Sequence, residues 1–130
     1  MRRLLVPFYF VVAISAIIST AAYAEEVEME MDLMQNIEDV NKSLASNIAL
    51  QRVDPSLEDA NQLTSMFEVV EAHFIKKGDA ENAVDLSKKS KKLSQDIAKL
   101  VTEKNFDTAT NLATDLSRAC KSCHTFYKKE

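Results

Sequence analysis

Along most of the chain, apolar positions recur at steps of three and four, the period of a helix with one face turned inward. Between about residues 28 and 51 the stripe is Met34, Ile37, Asn41, Leu44 and Ile48, with Leu33 and Val40 beside it. "VDPS" (residues 53–56) is expected to end that segment, because a residue before proline avoids the helical region. A second helix is expected to open at Ser56, with Asp59 as its capping-box partner. Leu57, Ala60, Leu63, Thr64, Phe67, Val70 and Phe74 follow along one side, and "KKG" (residues 76–78) closes it with cations and then glycine. A third, from near Asp79 to about Lys104, places Ala83, Leu86, Leu93, Ile97 and Leu100 inward. Its outer face holds Lys88, Lys89, Lys91 and Lys92, a solvated surface. The fourth opens near Asp107 and runs through Ala109, Leu112, Ala113, Leu116, Cys120 and Cys123. Four such helices of roughly 20 residues with short connections predict an all-α fold, an antiparallel up-down-up-down four-helix bundle.

The N-terminus departs from this pattern. Arg2 and Arg3 precede an apolar run from Leu4 to about Ile18, and Ala22, Tyr23 and Ala24 make an A-x-A exit. These are the parts of a secretory signal peptide cut after Ala24. The competing reading is an uncut anchor, but the run is short of the ~20 residues a spanning helix needs, and Ser15, Ser19 and Thr20 dilute its end. The expectation is a leader over residues 1–24 and one exported domain over 25–130 that does not span a membrane. Without Arg2 and Arg3 the 16 Lys and Arg become 14 against 20 Asp and Glu, a net charge of −6. That balance, with no basic-aromatic stripe, disfavours nucleic acid as a partner. The single glycine, Gly78, and the single proline beyond the leader, Pro55, suit long helices rather than a sheet.

Both cysteines lie in "RACKSCHTFYKKE" (residues 118–130). Exported thiols usually pair, but a Cys120–Cys123 bridge would enclose two residues and constrain the unfolded chain little. Cys120, Cys123 and His124 stand at i, i+3 and i+4, so on a helix they share one face, the one that continues Leu112 and Leu116. C-x-x-C-H is the attachment signature of c-type haem. Each thiol adds to one porphyrin vinyl group, and the imidazole reaches the iron from the same turn. A thioredoxin-type pair would sit at a helix N-terminus, where the dipole acidifies a thiol, whereas these lie in the last turns. Zinc lacks a fourth ligand unless His73 supplies it.

A C-x-x-C-H motif in the last helix of an exported four-helix bundle resembles cytochrome c′ and its low-spin, methionine-ligated relatives. The likeness in architecture covers the whole chain beyond the leader. Its specific part is "CKSCHTFYK", with Tyr127 three residues after the histidine and Lys128 next. "DLMQNIEDVNKSL" is similar to the L-M-K/Q pattern of such proteins, whose methionine faces the haem. Size and the "HTFYK" tail also resemble the soluble b-type four-helix cytochrome, with two thioether links added. Where many cytochromes c′ have an arginine about four residues before the distal position, this chain has Glu30. The short segment between the middle helices favours the b-type comparison.

The resemblance implies one covalent haem c, with His124 and Met34 as axial ligands of the iron. Position supports Met34: it and His124 each lie about six residues from the same end of an antiparallel bundle, roughly 9 Å in. The alternative is a core methionine, the usual role on an apolar stripe. Met29 and Met31 are less well placed, and Met66 is expected to line the pocket, with Tyr127 also counted as cofactor-binding. His73 is an alternative ligand, a propionate partner, or a histidine favoured by the helix C-terminus.

The resemblance then implies a periplasmic electron carrier rather than an enzyme, served by haem-attachment machinery and redox partner proteins. Lys121, Lys128, Lys129, Lys76 and Lys77 lie toward the haem end, together with Glu25, Glu26, Glu28 and Glu30. The alternative is a five-coordinate gas-binding or sensing protein for nitric oxide or carbon monoxide. A non-haem reading is a helical interaction module with a redox-active cysteine pair. Monomer and homodimer both remain open.

Overall fold

A computed structural model describes residues 19–78 and 80–127, with side chains for residues 31–78 and 80–125. It contains four helices: α1 (Ser19–Ala49), α2 (Val53–Lys77), α3 (Glu81–Thr102) and α4 (Phe106–Tyr127). The leader expected over residues 1–24 falls mostly outside the described residues. The chain divides into two units, Met1–Asp32 and Leu33–Glu130, and the second contains the packed core. Among the described residues no helix is long and apolar enough to cross a membrane.

The second unit is the expected all-α, antiparallel four-helix bundle. Short turns reverse the chain, so α2 packs along α3 and α3 along α4. Side chains close the ring through α1. Asn47 Nδ2 donates to Asp59 of α2 at 2.8 Å, and Asn41 Nδ2 donates to Ser117 Oγ of α4 at 3.0 Å. All four helices feed one core, in which Leu44, Leu63, Ile97, Val101, Ala109 and Leu116 are fully buried.

The helix ends differ from the sequence expectation in instructive ways. α1 stops in a Schellman motif: Gln51 N–H reaches Ile48 O at 2.9 Å and Arg52 N–H reaches Asn47 O at 3.0 Å. Gln51 takes the left-handed conformation there, at φ 53°, without being glycine. α3 ends the same way. Lys104, at φ 57°, bonds Val101 O at 2.9 Å, and Asn105 N–H bonds Leu100 O at 2.8 Å. Asn105 then starts α4, its Oδ1 accepting the Thr108 N–H at 3.3 Å. α2 begins at Val53, three residues before the expected Ser56, and Pro55 sits in its first turn, where the missing N–H is not needed. The Ser56–Asp59 capping box does not form, because Ser56 is fully buried inside the helix and Asp59 is turned to Asn47. Only the glycine stop behaves as expected: Gly78, at φ 71°, sends its N–H to Phe74 O at 3.2 Å.

The buried line of α3 is Ala83, Ser87, Ser90, Ser94, Ile97 and Val101. Leu86, Leu93 and Leu100, expected inward, flank it at intermediate exposure. Serine is tolerated there because its hydroxyl bonds its own helix: Ser87 to Ala83 O at 2.6 Å, Ser94 to Ser90 O at 3.0 Å. Small side chains also let α2 approach closely. Lys91, expected on the solvated face, is half-buried and pairs across to Glu71 at 2.6 Å, whereas Lys88, Lys89 and Lys92 are exposed.

Candidate functional site

The last turns of α4 carry Cys120, Cys123 and His124, all half-buried. Both cysteines are free thiols. Their spacing turns them to one side, as the helical period requires, and on that side lies a cavity of about 510 Å³. Its volume falls within the ~300–1,000 Å³ of small-molecule sites. Each helix contributes to the wall. α4 supplies the Cys-Cys-His set, and α1 supplies Met34 and Ile37. α2 adds Phe67 and Val70, and α3 adds Leu86, Ser87 and Ser90.

Met34 therefore shares a cavity with His124, and the helix contacts set their relative height. Asn41 of α1 touches Ser117 of α4. From that contact Met34 lies seven residues back along α1 and His124 seven residues on along α4. In antiparallel helices both steps run the same way by about 10 Å, so the two residues are level. The thioether and the imidazole stand on different helices at one height of one cavity.

The cavity has a polar side as well. Asn41 and Ser117 line it with Glu38, Lys42, Arg118 and Lys121. Lys42 pairs with Glu38 at 2.8 Å and Arg118 with Asp115 at 3.2 Å, both exposed pairs of little energetic weight. The Asn41 carbonyl oxygen is buried with no hydrogen-bond partner. None of these polar residues was singled out as a site residue from the sequence. Asn41 was legible as the polar member of the α1 stripe, and Ser117 as one turn before Cys120.

Burial chiefly sets the state of the thiols. It pushes the Cys120 thiol up to about 11, with the neighbouring Cys123 adding to the effect, and raises Cys123 as well. Both are therefore protonated at neutral pH. A nucleophilic or disulfide-exchanging cysteine needs the opposite shift. Among the described residues, no three His, Cys, Asp or Glu side chains are grouped to hold a metal ion by themselves.

Other expected site residues lie elsewhere. Met66, expected on the pocket wall, is packed in the core at 7 % exposure. The α2 positions facing the cavity are Phe67 and Val70, three apart on one face, and Met66 falls a step round the helix from them. His73 is half-buried beside Phe74, their rings 5.2 Å apart and nearly perpendicular, and it is not among the lining residues. Met31 is 70 % exposed. Tyr127 is the last residue of α4, and its side chain, with those of Met29 and Glu30, lies outside the described ones. Lys76, Lys77 and Lys121 are exposed; Lys128 and Lys129 fall outside the described residues. Comparison with known proteins finds no matching family model, no similar curated protein and no similar solved structure.

Proposed function

We propose that this chain is an exported c-type cytochrome of the four-helix-bundle kind, carrying single electrons in the periplasm. The observation that carries the reading is the common cavity: two thiols and an imidazole on α4, level with the Met34 thioether on α1. The residues fit a haem in two respects. The cavity wall is largely apolar and of suitable size. Its donor set is one nitrogen, one thioether sulfur and two thiols.

Cys120 and Cys123 would hold the porphyrin through thioether bonds, and His124 and Met34 would hold its iron. The haem, so ligated, supplies one-electron cycling between ferrous and ferric iron. The chain's own part is to fix both ligands on packed helices, to keep water from the ring with Ile37, Phe67 and Val70, and to raise the potential through methionine sulfur. Expected partners are the haem-attachment machinery and a redox protein on either side of the transfer.

Mass spectrometry of chain produced in a periplasm with haem-attachment machinery tests the covalent part: the expected mass is that of residues 25–130 plus one haem. An unmodified mass sinks the proposal. Optical spectra test the ligation. Low-spin bands that persist under carbon monoxide are expected, with Met34→Ala giving a high-spin ferrous form that binds the gas. A wild type that already binds carbon monoxide readily would be a gas-binding protein instead, with Met34 off the iron.

A further inference from the structure

Asn41 occupies a position on the α1 stripe where an apolar residue would be expected, between Ile37 and Leu44. Its Nδ2 donates to Ser117 Oγ at 3.0 Å, and that hydroxyl donates to Ala113 O at 3.1 Å. Its carbonyl oxygen stays buried without a partner. Leaving a buried acceptor unpaired costs at least as much as one ordinary hydrogen bond returns, so the amide is a poor choice for stability alone. Leucine would continue the stripe with no such cost. An unpaired group of this kind points to a role other than packing.

What the bond does is fix how far along α4 the helix α1 sits. A slide of α1 along α4 by the rise of one residue, without rotation, would move Met34 by about 1.5 Å along the axis. The apolar stripe fixes which face α1 turns inward, but it resists such a slide only loosely, because shifted apolar contacts remain apolar. A directional bond between two short side chains resists it sharply. Met34 and His124 are equal steps from this bond, so the register it sets is the one that levels them.

We propose that the Asn41–Ser117 hydrogen bond is a register pin, and that both are positioning residues that hold Met34 opposite His124. Neither touches the iron. The inference rests on the haem reading above.

The test compares haem-loaded wild type with Asn41→Leu, Ser117→Ala and Ser117→Thr. Three quantities are read: carbon monoxide binding by the ferrous form, the ring-current-shifted methionine methyl signal in proton NMR, and thermal unfolding. Asn41→Leu and Ser117→Ala are expected to raise the gas-binding, methionine-off fraction by about two- to tenfold, the factor one ordinary hydrogen bond is worth. Unfolding of Asn41→Leu should be unchanged or later than in wild type. Ser117→Thr keeps the hydroxyl and should keep the wild-type spectrum. If both bond-breaking variants retain wild-type gas binding and methyl signal, the pin is overturned while the haem reading stands. A change in stability with no change in ligation also overturns it, since that marks a structural bond only. Should Asn41→Leu fail to fold, Ser117→Ala, at an exposed position, decides. Wild type without haem overturns reading and pin together.

Discussion

The bundle has two regions built on different terms. Away from the cavity, Leu44, Ile48, Leu63, Val101 and Ala109 are 0–1 % exposed, and none of them lines it. Around the cavity, Met34, Leu86, Cys120, Cys123 and His124 remain half-buried, and Ser87 and Ser90 complete the α3 wall beside Leu86. The first region gains from close packing of branched side chains. The second forgoes part of that gain to leave room, and relies on polar contacts, Glu71–Lys91 and Asn41–Ser117, to keep its helices in place. Stability and chemistry are thus carried by opposite ends of the same four helices.

The strongest way to break that division is to damage the packed end. Leu63→Ala removes a fully buried side chain and should cost about 2–5 kcal/mol, read from denaturant unfolding. The spectrum of the folded fraction should stay that of wild type; a changed ligation spectrum would show that the two ends are coupled. Next comes the thiol chemistry of the cavity end, measured on chain purified before haem attachment. With Cys120 near 11 against an ordinary 9.0, its thiolate at neutral pH is about a hundredfold scarcer than that of a free cysteine. Alkylation by iodoacetamide should be slow at pH 7 and climb until pH about 11. Because folding raises this pKa, the thiol's contribution to stability is whole below pH about 9 and disappears as pH rises to about 11. Fast alkylation at pH 7 would contradict the burial.

Filling the cavity sharpens the contrast from the other side. Ser90→Leu, at a lining position only 3 % exposed, should reduce haem incorporation several-fold and also cost about 1–3 kcal/mol in unfolding, since the larger side chain presses on the close α2–α3 approach. An equal haem yield would mean that α3 does not bound the ring. The smallest effects belong to the turns. Gln51→Gly and Lys104→Gly relieve left-handed residues and should each stabilise by about 0.5–1 kcal/mol in thermal melts, with no spectral change.

The sequence showed three of the stripes and the Cys120–Cys123–His124 face because those features are local: a period of 3.6 and a spacing of three or four need no knowledge of the partner helix. Met34 was legible through the same period plus the antiparallel order. On α3 the apolar period found the buried Ala83 and Ile97 and the flanking Leu93 and Leu100, but it passed over Ser87, Ser90 and Ser94, which are polar by composition; the hydroxyls of Ser87 and Ser94 are satisfied within the helix. The turns were misread for a related reason. Gln51 and Lys104 fill positions where glycine is the usual signal, so the Schellman ends left no mark, and proline drew attention to a boundary that lies three residues earlier. The Asn41–Ser117 contact spans 76 residues, and no local pattern reveals which polar side chains will meet across a bundle.

One corner of the molecule links these regions. Asn105 closes α3 with its backbone N–H and opens α4 with its side-chain oxygen. The last turn of α3 and the first turn of α4 therefore cannot fray independently, since release of either removes a partner from the other. The α3–α4 corner opens as one cooperative unit. The helix that presents Cys120, Cys123 and His124 is thus tethered at its far end to the neighbour that brings Leu86, Ser87 and Ser90 to the same cavity.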